Sequence, residues 1–186
     1  MSNFNFIPTA LEGVFIVQTR SFGDSRGAFM ETYQRQAFAE AGITAEFVQD
    51  NQSSSVGGVL RGLHFQIEHP QAKLVRVIEG AVFDVAVDIR PGSATYGAWV
   101  GVELSAENHR QLFIPRGLAH GFLVLSEHTT FTYKCDEFYH PEDEGGLAWD
   151  DPALAIAWPL TEATGGAQPV LSEKDRQWPT LAALRG

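Results

Sequence analysis

The stretch Lys73-Leu-Val-Arg76-Val-Ile-Glu79-Gly80-Ala-Val-Phe-Asp84-Val-Ala-Val-Asp88-Ile-Arg90 decides the fold class. Its odd positions Val75, Val77, Ala81, Phe83, Val85, Val87 and Ile89 are apolar, and its even positions include Arg76, Asp84 and Asp88. A period of two is what a strand with one buried face requires. Glu79-Gly80 interrupts the run and reads as a hairpin turn between two such strands.

The same reasoning extends in both directions. Strands are expected at 14–19, 28–33, 47–52, 59–66, 99–104, 111–114, 121–125 and 129–136. Many short strands punctuated by glycine and proline argue for an antiparallel sandwich or barrel. Helix is scarce. Residues 34–41 suit two turns closed by Gly42, and Ser172 suits the cap of a short helix near the C-terminus. The expectation is an all-β jelly roll with short helices in the N-terminal third and at the C-terminus. It forms one domain over residues 1–186, with a barrel core at about 45–160 and a flap at about 161–186 joined near Gly165-Gly166.

Composition narrows the function classes. With 44% hydrophobic and 19% charged residues the chain is in the globular range. No apolar run is long enough to span a bilayer, and the first residues lack the basic-then-apolar pattern of a secretory signal. Cys135 is the only cysteine, which excludes an intrachain disulfide and suits a reducing, cytoplasmic setting. A formal charge of -10 argues against a broad nucleic-acid surface, but a few pocketed cations can still hold a phosphate.

Two histidine motifs carry the chemistry, Arg61-Gly-Leu-His64-Phe-Gln66 and Pro115-Arg-Gly117-Leu-Ala-His120-Gly-Phe122, with Tyr133 in the following strand. A lone histidine at a strand end is ordinarily structural. His64 has unusual company, because Arg61, Gln66 and Lys73 lie in one strand and the next loop. His64 and Gln66 share a face, and Arg61 joins them only where Gly62 twists the backbone. The turn Pro115-x-Gly117 delivers His120 onto a strand, and its ordinary reading is a backbone-bonded turn histidine. A core tyrosine is the ordinary reading of Tyr133. A histidine base paired with a tyrosine acid would give proton-transfer chemistry in a barrel mouth.

The second histidine motif resembles a cupin signature. The first lacks a His-x-His pair, so no metal site is expected, since a metal needs three or four placed ligands. Taken in order, the motifs resemble the dTDP-4-dehydrorhamnose 3,5-epimerase family of cupin-fold enzymes. The residues that carry this are Phe22 to Glu31, Gln49-Asp50-Asn51, Arg61 to His64, Pro70 to Arg76, Pro115 to Phe122, Tyr133-Lys-Cys, Glu142 to Gly146 and Leu171 to Asp175. Phe65 is a mild departure, where many relatives have tyrosine.

That resemblance implies a dTDP-linked 4-keto-6-deoxyhexose substrate and chemistry needing neither metal nor redox cofactor. It makes His64 the base, Asp175 its partner, Lys73 the stabiliser of the enolate oxygen and Tyr133 the opposing acid. His120 is assigned to the sugar or the enolate oxygen. Arg26 and Arg61 are assigned to the diphosphate, Phe22 and Phe29 to stacking on the thymine, and Glu31 to its edge. Gln49, Asp50, Asn51, Glu144 and Lys174 complete the implied ligand contacts. The family also implies a homodimer whose thymidine site is shared between subunits, and no membrane or nucleic-acid partner. A 3- or 5-mono-epimerase, a metal-dependent cupin and a silent sugar-binding cupin are the competing readings.

Overall fold

The computed structural model describes residues 2–185. Two antiparallel sheets face each other. The first has six strands in the order β1 (Phe4–Pro8), β2 (Phe15–Thr19), β10 (Arg110–Ile114), β7 (Lys73–Glu79), β12 (His128–Cys135) and β5 (Gln49–Val56). The second has five, in the order β13 (Glu144–Gly146), β6 (Leu60–Gln66), β11 (Leu118–Val124), β8 (Ala81–Asp88) and β9 (Trp99–Ser105). A separate hairpin joins β3 (Ser21–Asp24) to β4 (Gly27–Met30). The all-β double-sheet expectation is met.

The interior between the sheets is apolar over most of its depth. Val75 and Val77 on β7, Leu112 and Ile114 on β10, and Phe131 on β12 meet Val82 and Ala86 on β8, Val102 and Leu104 on β9, and Phe122 on β11. A second cluster, Leu63, Val85, Val87, Ala119, Leu147, Leu154 and Leu181, lies on the far side of the five-stranded sheet. The C-terminal stretch therefore covers that sheet's outer face, and β8 is buried on both sides.

This corrects two readings of the opening stretch. Glu79-Gly80 is not a hairpin turn. Glu79 pairs with Thr130 in one sheet while Ala81 pairs with Ser105 in the other, so the chain crosses between sheets at Gly80. Gly80 has a φ of +78° and lies against β12, where a Cβ would sit 2.2 Å from the His128 carbonyl oxygen. The crossing also flips the phase of the alternation. Odd residues face inward on β7, but even residues do so on β8. Asp84 and Asp88, expected on a solvated face, are fully buried. Asp88 is satisfied by Arg90, Ser93 and Thr95, which hold its carboxyl well below the usual range despite burial.

Other boundaries shift as well. The core does not begin at about 45, because β2 pairs with β10 inside the main sheet. Strands β1, β3 and β13 lay outside the expected set. Helix α1 (Arg35–Glu40) forms as expected, with the Gln34 side chain accepting the Ala37 N–H at 2.6 Å. It seats Phe38 on Phe4, Leu74 and Phe113, covering part of the outer face of the six-stranded sheet. Ser172 caps a turn rather than a helix, accepting the Asp175 N–H at 3.1 Å. The C-terminal helices are α2 (Leu160–Thr164) and a 3-10 turn at Leu181–Arg185.

Candidate active site

His64 stands on the inner face of β6, opposite His120 on β11 and Gly146 on β13. Its Nε2 lies 2.5 Å from Asp175 Oδ1. Asp175 comes from 111 residues away, on the C-terminal stretch that Val170 ties to β6 by bridging Val59. Burial pushes the Asp175 carboxyl up, but hydrogen bonds from His64, Ser172 and Trp178 outweigh it and hold the group below its ordinary value. An ionised Asp175 accepting one ring N–H fixes the imidazole tautomer and leaves Nδ1 free. A cavity of about 260 Å³ opens beside this pair, lined by Arg61, His64, Ser172, Lys174 and Asp175.

The other nitrogen, Nδ1, lies 4.0 Å from Glu144 Oε1 on β13. Glu144 in turn accepts hydrogen bonds from Lys174 and from the Tyr139 hydroxyl, the latter at 2.7 Å. Burial raises the Glu144 carboxyl, yet these donors and the charge of His64 leave it lowered overall. The same bond pushes Tyr139 up to about 12.

Lys73 starts β7 and pairs in register with Cys135 on β12 and Ile114 on β10. Its face is that of Val75 and Val77, so its amine enters the interior. Desolvation lowers its pKa, opposed by Cys135, Asp84 and Glu144. Lys73 lines a small pocket with Phe65, Gln66, Gln71 and Leu118. His120 is buried, with Nε2 at 3.1 and 3.0 Å from the two Asp84 oxygens. Each imidazole thus has its own carboxylate. Among the described residues, no three or more His, Cys, Asp or Glu side chains are grouped to hold a metal ion.

Tyr133 sits on the opposite sheet, on the inner face of β12 with Phe131 and Cys135. Burial raises its pKa, with Cys135 and Glu144 adding and Arg61 subtracting, so the phenol keeps its proton at neutral pH. Asn51 and Gln49 pair with Tyr133 and Cys135 on the same face. Arg61 reaches this face too. The register slips by one residue between His120 and Phe122, setting Arg61 opposite Phe122, and its Nε donates to Ser55 Oγ at 3.1 Å. The slip needs glycine on both strands. A Cβ on Gly62, whose φ is +130°, would meet Gly121 Cα at 2.5 Å, and one on Gly121 would meet the Arg61 carbonyl at 2.6 Å.

Not every expected residue arrives. Asp50 pairs in register with Lys134 and bonds its Nζ at 2.6 Å, on the outer face of the six-stranded sheet. It lines a cleft of about 420 Å³ with Arg76, Ile78 and Gln111, which Asn51 and Tyr133 also line and His64 does not; strand alternation takes the Asp50 side chain away from His64. Phe22 and Phe29 pair across the isolated hairpin, 42% and 70% exposed. Arg26 at its tip bonds Asp24, and Glu31 accepts from Asn3. These four residues do not join His64 within one chain.

Sequence reasoning missed Asp84, Tyr139 and Trp178. Asp84 was read as a solvent-facing alternation residue. Tyr139 and Trp178 lie in irregular segments, where periodicity gives no signal; the Leu171 to Asp175 motif stops three residues short of Trp178.

A family model described as dTDP-4-dehydrorhamnose 3,5-epimerase matches residues 8–183. The chain is 55% identical over 181 residues to dTDP-4-dehydrorhamnose 3,5-epimerase of Methanothermobacter thermautotrophicus, covering 97% of this chain and 96% of that one. It is 52% identical to the enzyme of that name from Escherichia coli K12 over 182 residues, with 97% and 96% covered. Among solved structures, dTDP-6-deoxy-D-glucose-3,5-epimerase of Legionella pneumophila in complex with dTDP-4-keto-L-rhamnose superposes with a TM-score of 0.91 at 52% identity. That match covers 96% of this chain and 93% of the Legionella chain. With a family match over nearly its whole length and half its residues shared with named relatives, the chain belongs to the dTDP-4-dehydrorhamnose 3,5-epimerase family.

Proposed function

We propose that the chain inverts carbons 3 and 5 of dTDP-4-dehydro-6-deoxy-D-glucose to give dTDP-4-dehydro-L-rhamnose, by proton transfer alone. The observation that carries this reading is the His64–Asp175 pair, its histidine on one sheet and Tyr133 on the facing sheet. A 4-keto group acidifies the hydrogens on both neighbouring carbons. His64 removes one, and the electrons pass to the ketone oxygen as an enolate. Lys73 stabilises that oxygen, with the His120–Asp84 pair beside it. Tyr133 delivers a proton to the opposite face, which inverts the carbon. Two rounds invert both carbons.

Arg61 binds the diphosphate, since a guanidinium fork matches phosphate oxygens, and Lys174 and Glu144 frame the same mouth. Gln49 and Asn51 line the nucleotide side. The hairpin bearing Phe22, Arg26, Phe29 and Glu31 completes the thymidine site of a second subunit in a homodimer. Its exposed phenylalanines and its lack of any other strand partner among the described residues support that role. The free, buried Cys135 suits a cytoplasmic enzyme.

Proton NMR in deuterium oxide with the 4-keto-6-deoxyglucose nucleotide tests the reaction. Solvent deuterium is expected at both carbon 3 and carbon 5. Exchange at one carbon alone would leave a mono-epimerase, and loss of turnover on chelation would leave a metal-dependent one. Arg26→Ala is expected to raise KM about tenfold with kcat nearly unchanged, because phosphate contacts are shared by ground and transition states. Steady-state kinetics at saturating substrate would reject the hairpin's role if only kcat falls.

A further inference from the structure

We infer that Trp178 is a positioning residue for the proton-abstracting pair, acting through Asp175. This rests on the assignment of His64 as base and Asp175 as its partner. The Trp178 indole N–H donates to Asp175 Oδ1 at 3.2 Å, the same oxygen that meets His64 Nε2 at 2.5 Å. The indole also stands edge-on to the His64 ring, with centroids 6.1 Å apart and planes at 69°. One side chain therefore touches both members of the pair.

What holds the indole there is equally specific. Gly146 is the register partner of His64, and a Cβ on residue 146 would lie 2.3 Å from the indole ring, so the missing side chain makes the seat. The Lys174 ammonium lies over the ring at 5.6 Å from its centroid. The chain on the far side is tied down where the Ala148 N–H bonds the Pro179 carbonyl at 2.8 Å and the Leu181 N–H bonds Asp151 Oδ2 at 2.6 Å. The chemistry follows from the shared oxygen. A carboxylate oxygen with two donors is fixed in direction as well as in charge, and an N–H aimed at it favours the ionised form. Without that donor the Asp175 carboxyl gains rotational freedom and titrates at higher pH.

Trp178→Phe keeps a ring on Gly146 and removes the N–H. It is expected to lower kcat about five- to tenfold at neutral pH, with KM within about twofold. The acid limb of the kcat profile is expected to move to higher pH, because Asp175 then protonates earlier as pH falls. The decisive measurement is a double-mutant cycle with Asp175→Asn, followed by deuterium exchange. If Trp178 works through the carboxylate, Trp178→Phe costs little more once Asp175 is gone. An equal fold-loss in both backgrounds, or a full kcat with an unmoved acid limb in Trp178→Phe, overturns the inference. Trp178→Ala, followed by its melting temperature, separates lost packing from lost positioning. Failure of the underlying assignment gives a different result, since Asp175→Asn would then itself retain near-normal turnover.

Discussion

His64→Ala is expected to abolish deuterium incorporation at both carbons, a loss of about 10²–10⁴ in rate, while dTDP still binds within about twofold. The argument is geometric. His64 is the imidazole on the inner face that has a carboxylate at one nitrogen and open cavity beside it. His120, by contrast, is enclosed, with its Nε2 shared between both oxygens of Asp84. Exchange NMR and dTDP titration measure the two quantities separately. Near-normal turnover in His64→Ala would transfer the base role elsewhere. The pH dependence has a definite sign. Asp175 is held below its ordinary value, so the stability of its contact with His64 is fully present above the unfolded carboxylate value. It is lost only as pH falls through the lower, folded value.

Lys73→Met is expected to cost about 10²–10³ in turnover while raising the melting temperature by about 2–4 °C. The first figure is that of one well-aimed donor to a developing oxyanion. The second follows from burial. Desolvation lowers the Lys73 pKa, so the folded protein carries that ammonium at a cost that methionine avoids. The folded state also releases this proton sooner than the unfolded chain. Wild-type stability therefore gains as pH rises through the folded value, whereas activity falls as the ammonium is lost. Differential scanning calorimetry and kinetics on one preparation test both halves. A Lys73→Met enzyme that is less stable, or that turns over within threefold of wild type, would remove Lys73 from the oxyanion role.

The period-two pattern made the strands legible because alternation is a local property, and it set Tyr133 on one face with Phe131 and Cys135. It failed at Gly80, where a two-residue break serves as well for a crossing between sheets as for a hairpin, and the phase of β8 was inverted with it. Asp50 failed for a related reason. A contiguous Gln49-Asp50-Asn51 motif cannot send three successive side chains to one face of a strand. Arg61 reaches the inner face only through the one-residue slip, which the glycine at 62 hinted at and the glycine at 121 completes. The pairing of Asp175 with His64 came from resemblance, since no periodicity connects residues 111 positions apart.

The base's acidic partner rides on a strip of chain with little regular structure, tied to the barrel by a parallel bridge at Val170, the Asp175–His64 and Lys174–Glu144 pairs, an indole and a few backbone contacts. Such a strip can lift away in a sub-global fluctuation while both sheets stay intact. Thermal inactivation would then set in below the calorimetric transition, and amide protons around residues 170–178 would exchange ahead of those in the barrel. Catalytic competence is then expected to report on tail docking, an equilibrium that sits beneath that of global folding.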